Sequence, residues 1–202
     1  MKAGELSRCR FNPESLPDVP QTARLGAPLR PGKMVLYRLN YSDRAKESGM
    51  PISSEPVVFM RTTRMAGPYD EIQVPRTSSK TDWEVELGVV IAREAQYLRS
   101  LEEATRYIAG FSVSPDLSER EFQLQRSGQW AKGKSCDTFD PPGPLLATRD
   151  EVSDSACLSI SLHMNGDVRQ RSSTATMIFW HSSTYPRSCA MYHREPGDLI
   201  SP

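Results

Sequence analysis

Two glutamates separated by one residue, Glu84 and Glu86, are the first candidates for chemistry. They lie in the segment 83–91, where apolar side chains recur with the two-residue period of a β-strand. Residues two apart on a strand point to the same face, about 6–7 Å apart along the backbone. Asp116 is the candidate for a third carboxylate. Such a set suits hard divalent cations, namely Mg²⁺, Mn²⁺ or Ca²⁺.

The same glutamate spacing also has a purely structural explanation. An antiparallel strand commonly has one face in water, where glutamates alternate with apolar residues without any function. The pattern alone therefore leaves two interpretations open, a metal site and a solvated face.

The segment 128–135 matches the phosphate-binding pattern G-x-x-x-x-G-K-[ST]. A working P-loop needs a buried strand before it and a helix after it. Here the preceding residues 121–126 are polar and helix-like, and prolines and a glycine fill the segment 141–144. We therefore expect no nucleotide binding. Lys134 is either a cation beside an anionic intermediate or a solvated loop lysine.

The histidines and cysteines do not form a recognisable catalytic or zinc pattern. The histidines, which have no Ser, Asp or Cys companion at a triad spacing, are His163, His181 and His193. The cysteines, which we expect to be free thiols, are Cys9, Cys136, Cys157 and Cys189.

Composition limits the remaining function classes. The 202 residues contain 25 Lys and Arg and 25 Asp and Glu, so no basic surface for nucleic acid is expected. No apolar run approaches the roughly 18–20 residues of a membrane span, and the first residues lack a signal-peptide core. The sequence thus predicts a one-domain cytoplasmic protein that binds neither nucleic acid nor membrane.

Short strands with turns between them must position these candidates, which favours an α+β, mainly β fold. The predicted strands are 34–37, 57–60, 83–91, 111–113 and 158–164, the last leading through Asn165-Gly166 into a return strand at Val168. Capping boxes predict a helix from Ser100 to Gly110 and a second from Ser118 to about Arg126. Residues 1–33 are rich in proline and are expected to form an irregular amino-terminal arm before a domain over 34–202.

Three ordered motifs, TDWEVELGVVI at 81–91, DLSEREFQ at 116–123 and QWAKGKSCDTF at 129–139, resemble the fumarylacetoacetate hydrolase family. The likeness runs from about residue 31 to 179 and resumes at 196–200. Within the family, the chain is most similar to short bacterial diketo sugar-acid hydrolases, ureidoglycolate lyases and hydroxyheptadienedioate isomerases.

The resemblance implies a mixed β-roll around a central metal pocket, usually in a homodimer. It implies Mg²⁺ or Mn²⁺ held by Glu84, Glu86 and Asp116. The implied activity is that of a divalent-metal-dependent hydrolase or lyase, which cleaves a C–C bond of a 2-oxo or 1,3-diketo acid through a metal-stabilised enolate.

The resemblance also implies roles for four further side chains. Lys134 would stabilise the enolate and Glu47 would act as a base, while Gln123 and Thr138 would bind substrate. The homodimer and a small-molecule acid substrate are the implied partners.

Two departures from the family pattern favour an alternative, a non-catalytic relative that keeps the fold with or without the metal. The family motif Gly-Leu-Asn-Tyr-x-Asp-His-x-x-Glu places a water-activating histidine where this chain has Arg44. Arginine stays protonated and cannot be a general base. The chain also stops at Pro202, where relatives continue, and lacks most of their amino-terminal region. We therefore expect a domain truncated at its carboxyl end.

Overall fold

Strands form the framework of the computed structural model, which describes residues 12–49, 51–179 and 192–202. The strands are β1 (Met34–Arg38), β2 (Val57–Arg61), β3 (Thr81–Asp82), β4 (Val85–Ile91), β5 (Ile108–Pro115), β6 (Ser118–Glu119), β7 (Ala147–Thr148), β8 (Ser159–Met164), β9 (Asp167–Ser173) and β10 (Leu199–Ser201). The α-helices are α1 (Ser42–Ser48), α2 (Leu101–Thr105) and α3 (Ala131–Lys134). A π-helical turn spans Glu121–Gln125, and 3₁₀ turns span Pro13–Ser15 and Thr174–Thr176.

The main sheet has six strands in the order β2-β1-β10-β4-β5-β7. β1 and β10 are parallel, and every other neighbouring pair is antiparallel. Two small sheets, β3-β6 and β8-β9, complete the strand pairing. The prediction of an α+β, mainly β fold with a mixed sheet is therefore confirmed.

The period of two in β4 places its apolar side chains in the core. Val85, Leu87, Val89 and Ile91 are buried in one hydrophobic cluster, together with Phe111 of β5. On the other side of the sheet, a smaller cluster contains Leu29, Met34, Leu36, Val90 and Leu199. Because β4 is covered on both faces, it is a central element and not a strand with one face in water.

The hairpin prediction is confirmed at β8 and β9. Asn165 and Gly166 connect the two strands, and both have positive φ, +52° and +90°. A two-residue hairpin turn of this kind requires positive φ at both central positions, which Asn and Gly adopt at low cost.

The helix predicted from Ser100 begins as expected but ends early. The Ser100 hydroxyl accepts a hydrogen bond from the Glu103 amide at 3.1 Å, which caps α2. The prediction that this helix continues to Gly110 is wrong, because β5 begins at Ile108 and pairs with β4. A Cβ on Gly110 would collide with the backbone of Ala147, so glycine permits the close approach of β7.

Two other predicted boundaries also differ. Ser118 does not cap a helix, because it belongs to β6 and pairs with Asp82 of β3. The π-helical turn begins only at Glu121. β4 begins at Val85 and not at residue 83, so Glu84 lies just before the strand.

Several sequence predictions fall partly outside the described residues. Cys136 and Cys157 are free, as expected, whereas Cys9, Cys189 and His181 lie outside the described residues. The division of the chain at residue 33 stays a prediction. Within the described ranges, no helix has the length and apolar character needed to cross a membrane.

Candidate functional site

One cavity of about 600 Å³, the central cavity, contains most of the candidate residues. Its acidic lining residues are Asp43, Glu47, Asp82, Glu84, Glu86 and Asp116. Its basic lining residues are Arg38, Arg44, Arg120, Lys134, Arg169 and Arg171. Acidic and basic groups are equal in number, so the chemistry of the cavity depends on which of them contact each other.

The pairing of β4 with β5 brings the three carboxylates together. The Asp116 amide donates to the Glu84 carbonyl at 2.8 Å, and the Glu84 amide donates to the Asp116 carbonyl at 3.2 Å. Two residues further along, Glu86 lies opposite Ser114. The ladder therefore extends to Glu84, just before the start of β4, and Glu84, Glu86 and Asp116 all line the central cavity.

Lys134 lies between two of these carboxylates. Its ammonium contacts Asp116 and lies 3.7 Å from Glu84 Oε2, and the residue is only 2% exposed. The alternative of a solvated loop lysine is therefore wrong. A Cβ on the preceding Gly133 would collide with Glu119 and Gln123, so glycine lets α3 approach closely enough to place Lys134 there.

Arg61 holds the other side of Asp116, although the sequence analysis did not identify it. The Arg61 side chain is fully buried at the end of β2, where it contacts Asp116 and lies 3.5 Å from Asp140 Oδ2. Burial alone would raise the pKa of Asp116, but the charges of Lys134 and Arg61 outweigh burial and hold that pKa below its usual value. The two cations thus favour the ionised form of Asp116.

Glu86 is in the opposite electrostatic situation. Burial, reinforced by the negative charge of Asp116, raises the pKa of Glu86 well above its usual value. Ser201, at the end of β10, donates a hydrogen bond to Glu86 Oε2 and lies 3.0 Å from the Ser114 hydroxyl. A carboxyl in such surroundings is stabilised either by a bound proton or by an additional cation.

Gln123 has an unused hydrogen-bond donor in the cavity wall. The residue is fully buried in the π-helical turn, and its Oε1 accepts a hydrogen bond from Arg120 at 2.9 Å. Its Nε2 has no partner among the described residues. Leaving a buried amide donor unpaired costs free energy, so this group is suited to an oxygen atom of a ligand.

Arg44 and Glu47 lie at the mouth of the cavity on one face of α1, which ends at Gly49 with φ of +63°. The Arg44 guanidinium donates to Glu84 Oε1 from Nε at 2.9 Å and to Glu47 Oε2 from Nη1 at 3.0 Å. The side chains of Arg44 and Glu47 are 46% and 69% exposed. The position of the family's water-activating histidine is thus filled by a cation that binds a candidate metal ligand.

Thr138 and the glycine-rich segment lie apart from this group. Thr138 does not line the central cavity, and its hydroxyl accepts a hydrogen bond from the Gln73 amide at 2.8 Å. The segment 128–135 contains α3 and follows the π-helical turn, so it lacks the strand-loop-helix geometry of a P-loop.

Glu84, Glu86 and Asp116 supply the oxygen donors that a hard divalent cation prefers. As the side chains stand, however, no three His, Cys, Asp or Glu residues among those the structure describes are arranged to hold a metal ion. Nitrogen cations contact two of the three carboxylates, Glu84 and Asp116. The carboxylate oxygens therefore fit a metal in type. The ion pairs that Glu84 and Asp116 now form would have to rearrange before a metal could bind.

Comparisons with known proteins agree with the fold. A family model described as fumarylacetoacetate (FAA) hydrolase C-terminal matches residues 33–201. A curated relative from Burkholderia multivorans, which is named a hydrolase without a stated substrate, is 46% identical over 204 residues, covering 97% of this chain and 70% of the relative.

Two solved structures extend the comparison to named enzymes. One is 2-hydroxyhepta-2,4-diene-1,7-dioate isomerase from Mycobacterium marinum, 33% identical with a TM-score of 0.77, covering 88% of this chain and 65% of that one. The other is 5-carboxymethyl-2-hydroxymuconate delta-isomerase from Mycobacterium smegmatis, 32% identical with a TM-score of 0.78, covering 88% and 69%.

Proposed function

Because this chain belongs to the fumarylacetoacetate hydrolase family, we propose that it is a divalent-metal-dependent hydrolase or lyase that cleaves a C–C bond of a 2-oxo or 1,3-diketo acid. One observation carries the proposal: Glu84, Glu86, Asp116 and Lys134 line one cavity with Gln123, whose Nε2 has no partner among the described residues. The names of the similar isomerases refer to unsaturated acids with two or three carboxyl groups, which supports an organic acid as the substrate.

Glu84, Glu86 and Asp116 would hold the metal, which we infer to be Mg²⁺ or Mn²⁺. Members of the family generally use a divalent metal. The raised pKa of Glu86 supports this assignment, because a buried carboxyl beside two other carboxylates is a place where an additional positive charge is favourable. When bound, such an ion supplies Lewis-acid polarisation of the substrate oxygens.

Lys134 and Gln123 would stabilise the negative charge that develops on the substrate. Cleavage of the C–C bond leaves its electron pair on the 2-oxo acid fragment as an enolate, which then takes a proton. The buried ammonium of Lys134 is fixed by Asp116, so it needs little reorganisation to stabilise the enolate oxygen. The Nε2 group of Gln123 would donate to a substrate oxygen in the same cavity.

Glu47 would supply the base for a hydrolytic reaction. Water adds to the carbonyl carbon while Glu47 takes its proton, and the C–C bond then breaks to give a carboxylic acid and the enolate. Glu47 lines the cavity at its mouth, where water reaches it freely. The role of Thr138 in substrate binding stays a prediction, because the residue does not line the central cavity, although its hydroxyl keeps a proton to donate.

A thermal melt tests the proposal before any substrate is known. We would treat purified protein with EDTA, then add Mg²⁺ or Mn²⁺, alone and with oxalate as a mimic of a chelating 2-oxo acid enolate. A ligand that binds only the folded state raises the melting midpoint, so we expect a rise with metal and a larger rise with oxalate. Glu86→Ala should abolish both, whereas Glu55→Ala, which removes an exposed glutamate outside the cavity, should keep both. A cooperative melt that ignores metal and oxalate would contradict the proposal.

A second candidate is a non-catalytic member of the family. The observation that favours it is the contact of Arg44 with Glu84, because a cation stands where the family has its water-activating histidine and neutralises a proposed metal ligand. An Arg44→His variant separates the two candidates in an assay with a panel of 2-oxo and 1,3-diketo acids. Turnover by the original chain supports the proposal that it is an enzyme. Turnover by the variant alone supports the hypothesis of a non-catalytic family member.

We also infer a homodimer, on the strength of the family alone. Light scattering of the purified protein gives its mass directly, and a value near 22.7 kDa, that of one chain, would contradict the inference.

A further inference from the structure

Glu84 is contacted by three cationic side chains, more than a single carboxylate charge can balance. Arg44 binds Glu84 Oε1, Arg120 lies 3.2 Å from the same oxygen, and Lys134 lies 3.7 Å from Oε2. A divalent cation at Glu84 would face all three positive charges. At least one of them must move away, because like charges at a few ångströms repel strongly in a partly buried site.

Two of the three cations are fixed by other partners. Arg120 donates to Asp82 Oδ2 at 2.6 Å and to Gln123 Oε1 at 2.9 Å, so it keeps its position without Glu84. Lys134 is buried against Asp116, with only 2% of the residue exposed.

Arg44 is different, because it lies at the cavity mouth and already has an alternative partner. Its side chain is 46% exposed, and Nη1 binds Glu47, which is 69% exposed and faces solvent. The guanidinium can therefore leave Glu84 while it keeps a carboxylate partner and gains water. The side chains of Arg120 and Lys134 are only 25% and 3% exposed, so Arg44 has the greatest access to water of the three.

We propose that Arg44 is an exchangeable cation of the site, which occupies Glu84 when no metal is bound and must leave it before a divalent cation binds. This inference rests on the proposed function, since it concerns the same metal site. It makes Arg44 a residue that sets metal affinity by competition and not a group that reacts with substrate. Removing the guanidinium should therefore tighten metal binding.

Direct binding of Mn²⁺ to EDTA-stripped protein tests this competition without any activity assay. Free Mn²⁺ is followed by its electron paramagnetic resonance signal during titration of the original chain, Arg44→Gln and Arg44→Met. We expect each variant to bind Mn²⁺ at least about tenfold more tightly, since an exposed ion pair and the repulsion of one nearby charge are both removed. Two different replacements guard against a folding defect in one of them.

Arg169→Gln is the matched control. Arg169 also lines the cavity, is 52% exposed and binds Asp167 at 3.1 Å, so its removal changes the net charge equally without touching Glu84. A dissociation constant within about twofold of the original value is expected for this variant. An equal gain in Arg169→Gln would overturn the inference, because the effect would then be one of net charge.

The remaining outcomes separate this inference from the proposed function. Equal Mn²⁺ affinity in the original chain and both Arg44 variants overturns the competition and leaves the metal site standing. No Mn²⁺ binding by any of the folded proteins overturns the metal site itself, and with it the competition.

Discussion

The two ends of the carboxylate cluster use the same arginine-carboxylate chemistry in opposite surroundings. At the inner end, Arg61 is fully buried between Asp116 and Asp140. At the mouth, Arg44 is 46% exposed between Glu84 and Glu47. Each arginine thus bridges two acids, but only the outer one can exchange its partners for water. The inner end therefore holds the carboxylates in place, whereas the outer end, in our proposal, determines whether a metal can reach Glu84.

The energetic consequence of the comparison follows from desolvation. A buried ion pair contributes little compared with apolar residues of the same volume, yet removing one partner leaves a buried charge without compensation. An exposed ion pair contributes about 0–1 kcal/mol, because water replaces the lost partner. Identical substitutions at Arg61 and Arg44 should therefore differ severalfold in their effect on stability.

The largest effect is expected for Arg61→Met. This change leaves two buried carboxyls, Asp116 and Asp140, without their shared cation, and should lower the free energy of unfolding by about 3–5 kcal/mol. Urea denaturation at pH 7 measures the change. Arg64→Met is the matched control, because the Arg64 side chain is 72% exposed and lies 3.7 Å from its ion-pair partner Asp137, which is also exposed. Equal losses of unfolding free energy in the two variants would show that burial does not determine how much an arginine ion pair matters for stability.

A pH dependence of intermediate size is expected at Asp140. Burial, only partly offset by Arg61, raises its pKa from 3.8 to about 6. The folded state therefore binds more protons than the unfolded state between about pH 4 and 6, and stability falls as pH rises through that window. The expected loss is on the order of 2 kcal/mol. Subtracting the urea profile of Asp140→Asn from that of the original chain isolates it. If this difference in unfolding free energy is flat or rises with pH, then Arg61 offsets the burial of Asp140 as fully as the burial of Asp116 is offset.

The outer and inner ends also differ in how far the sequence predicts them. Glu84 and Glu86 were found because a two-residue spacing in a strand is a local signal, and the β4 pattern is strong. Their alignment with Asp116 depends on the register between β4 and β5, which is set by packing between segments about 30 residues apart. The sequence alone made Asp116 only a plausible third carboxylate, and the resemblance to the family pointed to the same residue independently.

Arg61 and Ser201 show what local patterns cannot reveal. Arg61 ends an apolar strand and Ser201 lies near the end of the chain, and neither has a neighbour in sequence that indicates a charged site. They reach Asp116 and Glu86 only because β2 and β10 join the same sheet. The early end of α2 has the same origin, since pairing of Ile108 with Ile91 in β4 overrides the helical pattern.

The smallest effect on stability is expected for Arg44→Gln, at about 0–1 kcal/mol, because both carboxylate partners of Arg44 can be hydrated at the cavity mouth. Ionic strength sharpens the contrast with Arg61. Screening at about 1 M salt reduces interactions between exposed charges but acts weakly on buried ones. We would compare urea denaturation at about 0.05 M and about 1 M NaCl. The stability difference between Arg44→Gln and the original chain should vanish at the higher concentration, while the loss in Arg61→Met persists there. A loss in Arg44→Gln that exceeds about 2 kcal/mol and survives high salt would place Arg44 in the fixed part of the site, where it could not exchange with a metal.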